Sequence, residues 1–150
     1  MASAEYTRGV RLAEPEPARR KASEPPEFAL VVPSLNQGRY LAQCLSSLVD
    51  QRYPRLAIVV MDGGSCDSSV DVIRSFEAHL AYWQSEPDGG QSTAINTGLA
   101  RIRGDLVGWL NADDQLAPGA LFRVAEAWLR HPGYGLFIGN GLRLDDSSGV

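Results

Sequence analysis

The 150-residue chain has very little lysine and cysteine: a single lysine, Lys21, and two cysteines, Cys44 and Cys66. Two cysteines build neither a disulfide framework nor a four-cysteine zinc site. The pattern around Cys44 puts it on the apolar face of a helix, and Cys66 falls in a loop, so reduced thiols in a cytosolic setting are the expectation. Long hydrophobic runs are missing as well. Stretches such as Ile58-Val59-Val60-Met61 fall far short of the roughly 20 apolar residues of a membrane-spanning helix. The N-terminus lacks the continuous apolar stretch of a secretory signal. There is no basic excess. A formal net charge of −4 argues against a protein that coats nucleic acid. With 44% hydrophobic and 21% charged residues the chain is not collagen-like, coiled-coil or wholly disordered, and its length suits one ordinary domain.

Residues 1–26 differ in texture from the rest. Pro15, Pro17, Pro25 and Pro26 crowd a stretch of Glu, Arg and Ala whose charges cancel through residue 27. Such a segment buries too little apolar surface to offset its ordering entropy, so a solvated tail is expected, with the folded domain spanning 27–150. The Arg19-Arg20-Lys21 cluster offers only a small attraction to an anionic membrane surface, which would make any membrane association peripheral.

From Phe28 onward short apolar runs alternate with helical patterns. Phe28–Val32 reads as a first strand, ended by Pro33. Tyr40, Leu41, Cys44, Leu45, Leu48 and Val49 recur at helical spacing. Leu56–Met61 is a second strand, apolar throughout as when both faces are covered. Ser68 and Asp71 resemble a capping box ahead of a helix carrying Val70, Ile73 and Phe76. Leu80–Gln84 reads as a third strand, and Ala94, Ile95, Gly98, Leu99 and Ile102 form one face of a third helix. Asp105–Leu110 is expected as a fourth, buried strand. Pro118 opens a fourth helix, which Pro132-Gly133 ends. Gly135–Ile138 is expected as a fifth strand, and Leu142–Leu144 as one arm of a hairpin turning at Asp145–Gly149. This alternation implies an α/β fold, a mostly parallel sheet flanked by helices, with ligands beyond the carboxyl ends of the strands.

The loops at those ends hold the unusual residues. Pro33-Ser34-Leu35-Asn36-Gln37-Gly38 offers polar groups and a glycine to a flat ring or a ribose. In Asp62-Gly63-Gly64-Ser65-Cys66-Asp67, Asp62 ends a strand and can accept from a base N–H or a ribose hydroxyl, while the glycines admit close backbone approach. Asp67 reads as an ordinary helix cap. Glu86-Pro87-Asp88-Gly89-Gly90-Gln91 feeds a helix whose N-terminal amides suit an anionic or hydroxyl-rich ligand, and Asn96 lies further along that helix. A dinucleotide fingerprint is not present, since no Gly-x-Gly-x-x-Gly follows the first strand, nor is a P-loop, since the folded part has no lysine. In Trp109-Leu110-Asn111-Ala112-Asp113-Asp114 adjacent carboxylates end a strand. Their repulsion is relieved by a divalent cation, and such hard oxygen ligands suit Mg2+ or Mn2+ with positions left open for phosphate oxygens.

Taken in order, these segments resemble the N-terminal part of a family 2 glycosyltransferase with the Rossmann-like GT-A nucleotide-diphospho-sugar transferase fold, C-terminally incomplete. Val31–Asn36 looks like its opening strand and loop, Gln51-Arg52-Tyr53-Pro54 like the link to its second strand, and Val60–Asp67 like its DGGSxD segment. Asp88–Gly98 looks like its third motif, and Asn111-Ala112-Asp113 stands where the metal-binding DxD triplet belongs, with Asn replacing the first Asp. The resemblance implies that Pro33, Ser34, Asn36, Asp62, Gly63 and Gly64 hold the base and its ribose. It implies that Asp88, Gly89, Gly90 and Asn96 border the ribose and donor sugar. Asp113 would bind the metal, with Asn111 and Asp114 beside it.

The resemblance further implies inverting, metal-dependent transfer from a nucleotide-diphospho-sugar, a UDP-sugar first, to a saccharide or lipid-linked acceptor hydroxyl. Such chemistry belongs to polysaccharide biosynthesis at the cell envelope, in the cytoplasm or at the inner membrane face. A general base is needed. Asp145 and Asp146 come too early and sit in a turn, so the base is expected to be absent from this chain. The alternative is a nucleotide-sugar-binding module without turnover. A nucleotidyltransferase would place a Gly-rich loop with Arg and Lys soon after the first strand, and this chain does not.

Overall fold

The computed structural model describes residues 24–143. Strands β1 (Phe28–Ser34), β2 (Leu56–Asp62), β3 (Tyr82–Ser85) and β4 (Leu106–Trp109) alternate with helices α1 (Gly38–Val49), α2 (Ser69–Ser75), α3 (Gln91–Arg101) and α4 (Ala120–Arg130). A 3-10 turn, Glu77–His79, precedes β3, and its backbone bonds take up Leu80, so β3 starts two residues later than its apolar run suggests. All strand pairs are parallel, in the order β3-β2-β1-β4. The α/β, parallel-sheet expectation is met.

β1 and β2 are central and nearly continuous in apolar residues because both their faces are covered. Val32, Ile58 and Val60 point toward α1, packing with Leu41, Cys44, Leu45, Leu48 and Ile73. Ala29, Val31, Val59 and Met61 point the other way, onto Ala94 and Ile102. A third cluster sets Leu121 and Ala125 of α4 against Phe28 and Tyr53. Each fully buried Val or Leu in these layers contributes roughly 1.5–3 kcal/mol. Pro26, assigned by composition to the tail, is buried, and its carbonyl accepts from Tyr53 Oη at 2.8 Å.

The expectations for β4 and for a fifth strand need correction. β4 is an edge strand among the described residues: β1 pairs with one side of it, and Val107 and Trp109 are 60% and 59% exposed. Its apolar letters mimic a buried strand, but α3 lies over β1 and β2 and leaves β4 uncovered. Gly135–Ile138 forms no strand. Tyr134 folds back so that its N–H donates to His131 O and its ring stacks on His131, and Leu136 and Ile138 remain exposed with no strand beside them. α2 starts after Ser68 as expected, although Ser68 makes no side-chain capping bond. Asp67 instead bonds both helices: Oδ1 accepts from Ser69 N and Oγ, and Oδ2 accepts from Gly38 N, the first amide of α1, at 2.9 Å. The proposed hairpin turn lies outside the described residues, where Leu142 and Arg143 end in irregular backbone. Among the described residues no helix is long and apolar enough to cross a membrane.

Candidate functional site

The four loops meet at the carboxyl ends of the strands. A cavity of about 370 Å³ lies among them. Pro33, Ser34, Asp88, Gly90, Asn111 and Asp113, all singled out in the sequence, line it. Asp113 therefore opens onto the same cavity as the end of β1. Ser34 is 6% exposed, and its Oγ has no hydrogen-bond partner. A buried hydroxyl without a partner costs about 1–3 kcal/mol, and this one sits beneath the cavity wall.

The second loop is a brace. Asp62 pairs in register with Ser34 but is 1% exposed and does not line the cavity. Its Oδ2 accepts from Gly64 N at 3.2 Å, Ser65 N at 2.9 Å and Ser85 Oγ at 2.6 Å, and its Oδ1 accepts from Ser65 Oγ. One carboxylate thus ties β2, its loop and β3 together. Asn36 takes a left-handed φ of 53°, tolerable for Asn, and its Oδ1 accepts from Cys66 N at 2.9 Å. Its own N–H donates to Ser65 Oγ. Gly64 (φ 86°) brings the backbone against Pro87, and Gly63 leaves room for the Asp88 carboxylate, which a Cβ would meet at 3.3 Å. Asn36, Gly63, Gly64, Gly89 and Asn96 lie outside the cavity wall. On α3 it is Gln91 and Ala94, three residues apart, that face it, and Asn96 is exposed elsewhere.

The third and fourth loops are joined by a chain of side chains. Gly90 N donates to Asp88 Oδ1 at 2.7 Å at the start of α3. Gln91 Nε2 donates to Asn111 Oδ1 at 2.8 Å, and Asn111 Nδ2 donates to Asp114 Oδ2 at 3.0 Å. Gln91, Leu35, Gln37, Ala94 and Ala112 line the cavity without having been picked from the sequence. Gln91 was discoverable: it is the first helical residue after a glycine-rich turn, where side chains face the same crevice as the turn. Beneath the acidic loop, burial first, then the charges of Asp114 and Asp113, push the Cys44 thiol up to about 12.

Oxygen donors at this loop suit a divalent cation: the Asp113 carboxylate on the cavity wall, the Asn111 amide oxygen and the Asp114 carboxylate. Among the described residues no three His, Cys, Asp or Glu side chains group to hold a metal unaided. A cation here would share its coordination with ligand oxygens.

The sequence model described as glycosyl transferase family 2 matches residues 29–146. An uncharacterized glycosyltransferase of Mycobacterium tuberculosis is 38% identical over 104 residues, covering 68% of this chain and 40% of that protein. The chain therefore spans about two fifths of that relative's length. Among solved structures, TarS of S. aureus (residues 1–349, in complex with UDP-GlcNAc) superposes with a TM-score of 0.60 at 23% identity, over 70% of this chain and 31% of that one. A mannosyltransferase of Pyrobaculum calidifontis in complex with GDP-Man and Mn2+ gives 0.62 at 24% identity, over 73% and 33%. These two likenesses carry the fold.

Proposed function

The chain belongs to glycosyl transferase family 2, and from that premise we propose that it is the donor-binding part of an enzyme that transfers a sugar from a nucleoside diphosphate, a UDP-sugar first, to an acceptor hydroxyl with inversion. The observation that carries this reading is a single cavity at the carboxyl ends of the strands, lined both by Pro33 and Ser34 of β1 and by Asp113 of the acidic loop. A lining that joins neutral groups to a carboxylate suits a ligand with a nucleoside at one end and phosphates at the other.

In this reading the base and ribose lie against Pro33, Ser34 and Leu35. A base N–H reaching Asp62 would take the place of one of its two serine hydroxyls, and Asn36, Gly63 and Gly64 hold that loop in shape. Asp88, Gly89, Gly90 and the start of α3 border the ribose and sugar, with Asn96 further along the helix. Asp113, with Asn111 and Asp114, would hold Mg2+ or Mn2+. When bound, the cation masks the diphosphate charge that makes it a poor leaving group. In this reading the residues of this chain bind and orient the donor. The acceptor, saccharide or lipid-linked, and the general base belong to no described residue, and Asp145 and Asp146 lie outside the described residues.

In a second reading the chain alone holds nucleotide without turnover. Calorimetry with UDP, UDP-sugars and GDP-mannose, with and without Mn2+, tests both. Donor binding that is strengthened by Mn2+ and weakened at least about tenfold in Asp113→Ala is expected. Sugar transfer to an added acceptor selects the first reading, and binding without transfer the second. No affinity for any nucleoside diphosphate sinks both, and affinity indifferent to Mn2+ removes the cation from the acidic loop.

A further inference from the structure

Asp113 reaches the cavity from residues 111–119, a stretch without regular structure. Its position comes from α1. Gln43, Ser47 and Gln51 are spaced four apart, so they follow one stripe along the helix and its C-terminal turn, with Cys44 beside it. Each touches the loop or α4 behind it. Cys44 Sγ donates to Asn111 O at 3.4 Å. Ser47 Oγ donates to Cys44 O at 2.7 Å and accepts from Leu116 N at 3.0 Å. Gln115 Nε2 donates to Gln43 Oε1 at 3.2 Å. Gln51 is 5% exposed, and its Nε2 donates to Ser47 O at 3.1 Å and Ala117 O at 3.0 Å, while its Oε1 accepts from Leu121 N at 3.3 Å.

Leu121 is the second residue of α4, so its N–H has no partner within its own helix. Gly119 at the cap has no side chain to offer, and no side-chain cap bond forms there. Gln51 supplies that bond from another helix. A side-chain amide meets both needs of the position, a donor for Ala117 O and an acceptor for Leu121 N.

We infer that Gln51 is a positioning residue for the diphosphate end of the site, setting where the Asp113 loop stands relative to Ser34. This rests on the donor-site reading above. The test compares Gln51→Met, of similar length without polar atoms, and Gln51→Glu, which turns an oxygen toward two carbonyls, with the unaltered 150-residue chain. Without any ligand, amide exchange at Leu116 and Leu121 is expected to rise about tenfold in Gln51→Met, with Asp62–Asp67 and Ser85–Gly90 unchanged. In calorimetry UDP with Mn2+ is expected to lose about tenfold in affinity, while uridine, which has no phosphate, keeps its own. Unchanged exchange at Leu116 and Leu121, or equal losses for UDP and uridine, overturns the inference. Should Gln51→Met and Gln51→Glu fail to fold, Ser47→Ala removes the acceptor of Leu116 N and a donor to Cys44 O while leaving Gln51 in place, and the same pattern is expected at about threefold. If the unaltered chain binds no UDP, the donor reading fails, and the exchange comparison still decides whether Gln51 holds the loop.

Discussion

Gln91 Nε2 lies 2.8 Å from Asn111 Oδ1, so the first residue of α3 fixes which way the Asn111 amide faces. With its oxygen engaged, the amide turns its nitrogen to Asp114 at 3.0 Å. Asn111 is thereby a neutral strut between a helix and a carboxylate.

Asn111→Asp removes the only atom in that strut that can donate to Asp114 and adds a third carboxylate to the loop. Unfolding free energy without metal is expected to fall by about 1–2 kcal/mol. Mn2+ is expected to restore more stability to the variant than to the unaltered chain. Thermal melts with and without Mn2+ read this directly, and equal Mn2+ responses would contradict it.

Ser34→Ala separates stability from binding. Removing a buried hydroxyl that has no partner is expected to leave the unliganded chain as stable, or more stable by up to about 1 kcal/mol. Affinity for UDP is expected to drop about fivefold in the same variant. A clear loss of unliganded stability would mean that the hydroxyl has a role inside the fold.

Gly98→Ala sets two effects of opposite sign against each other. Helix propensity favours Ala by about 1 kcal/mol. A Cβ at Gly98, however, would stand 2.6 Å and 2.9 Å from the methyls of Val31 and 3.1 Å from Met61 Cγ. Val31 is fully buried at the centre of the sheet and has nowhere to move. Overpacking is expected to win, for a net loss of about 1–3 kcal/mol by denaturant titration.

Asp67 gives the fold an acid-sensitive joint. The Ser69 hydroxyl first, then the Ser69 and Gly38 amides, hold its carboxyl below the ordinary carboxylate range. In the window below pH about 4 the unfolded chain takes up this proton before the folded one does, so stability is present above that range and is lost as pH falls through the lowered pKa. Asp67→Asn is expected to flatten this part of the acid limb in melts between about pH 2 and 5.

Cys44 acts at the other end of the scale. With its thiol pushed up to about 12 from 9.0, the unfolded chain loses the proton first as pH rises between the two values, and the fold loses stability across that window. At pH about 8, near the ordinary thiol range, only Cys66 is expected to react with a thiol reagent in the native chain. Two reactive thiols before unfolding would contradict the burial of Cys44.

The helix and strand order from Phe28 to Arg130 was legible because each element carries its own periodicity, apolar throughout in β1 and β2 and three-four spaced in α1 and α3. The loops that form the cavity were legible for the same reason, as they follow the strands. What the sequence left open was side-chain direction. Asp62 and Asn36 look like ligand-facing polar residues, but each is engaged by backbone N–H groups of the loop that joins β2 to α2. Gln91 and Gln51 look like ordinary surface amides, yet both link elements far apart in the chain. β4 was misread because four letters, Leu-Val-Gly-Trp, do not say how many neighbours a strand has.

The uncovered side of β4 bears on how the 150-residue chain behaves in concentrated solution. Leu106–Trp109 has no proline, lysine or other charge of the kind that guards sheet margins, and it shows a valine and a tryptophan to water. Among the described residues no strand pairs with its outer edge, which makes it a template on which another extended polypeptide can add strand by strand, beginning next to Asn111. Fibril growth and site occlusion would then be one event, and the acidic loop would be the first thing buried.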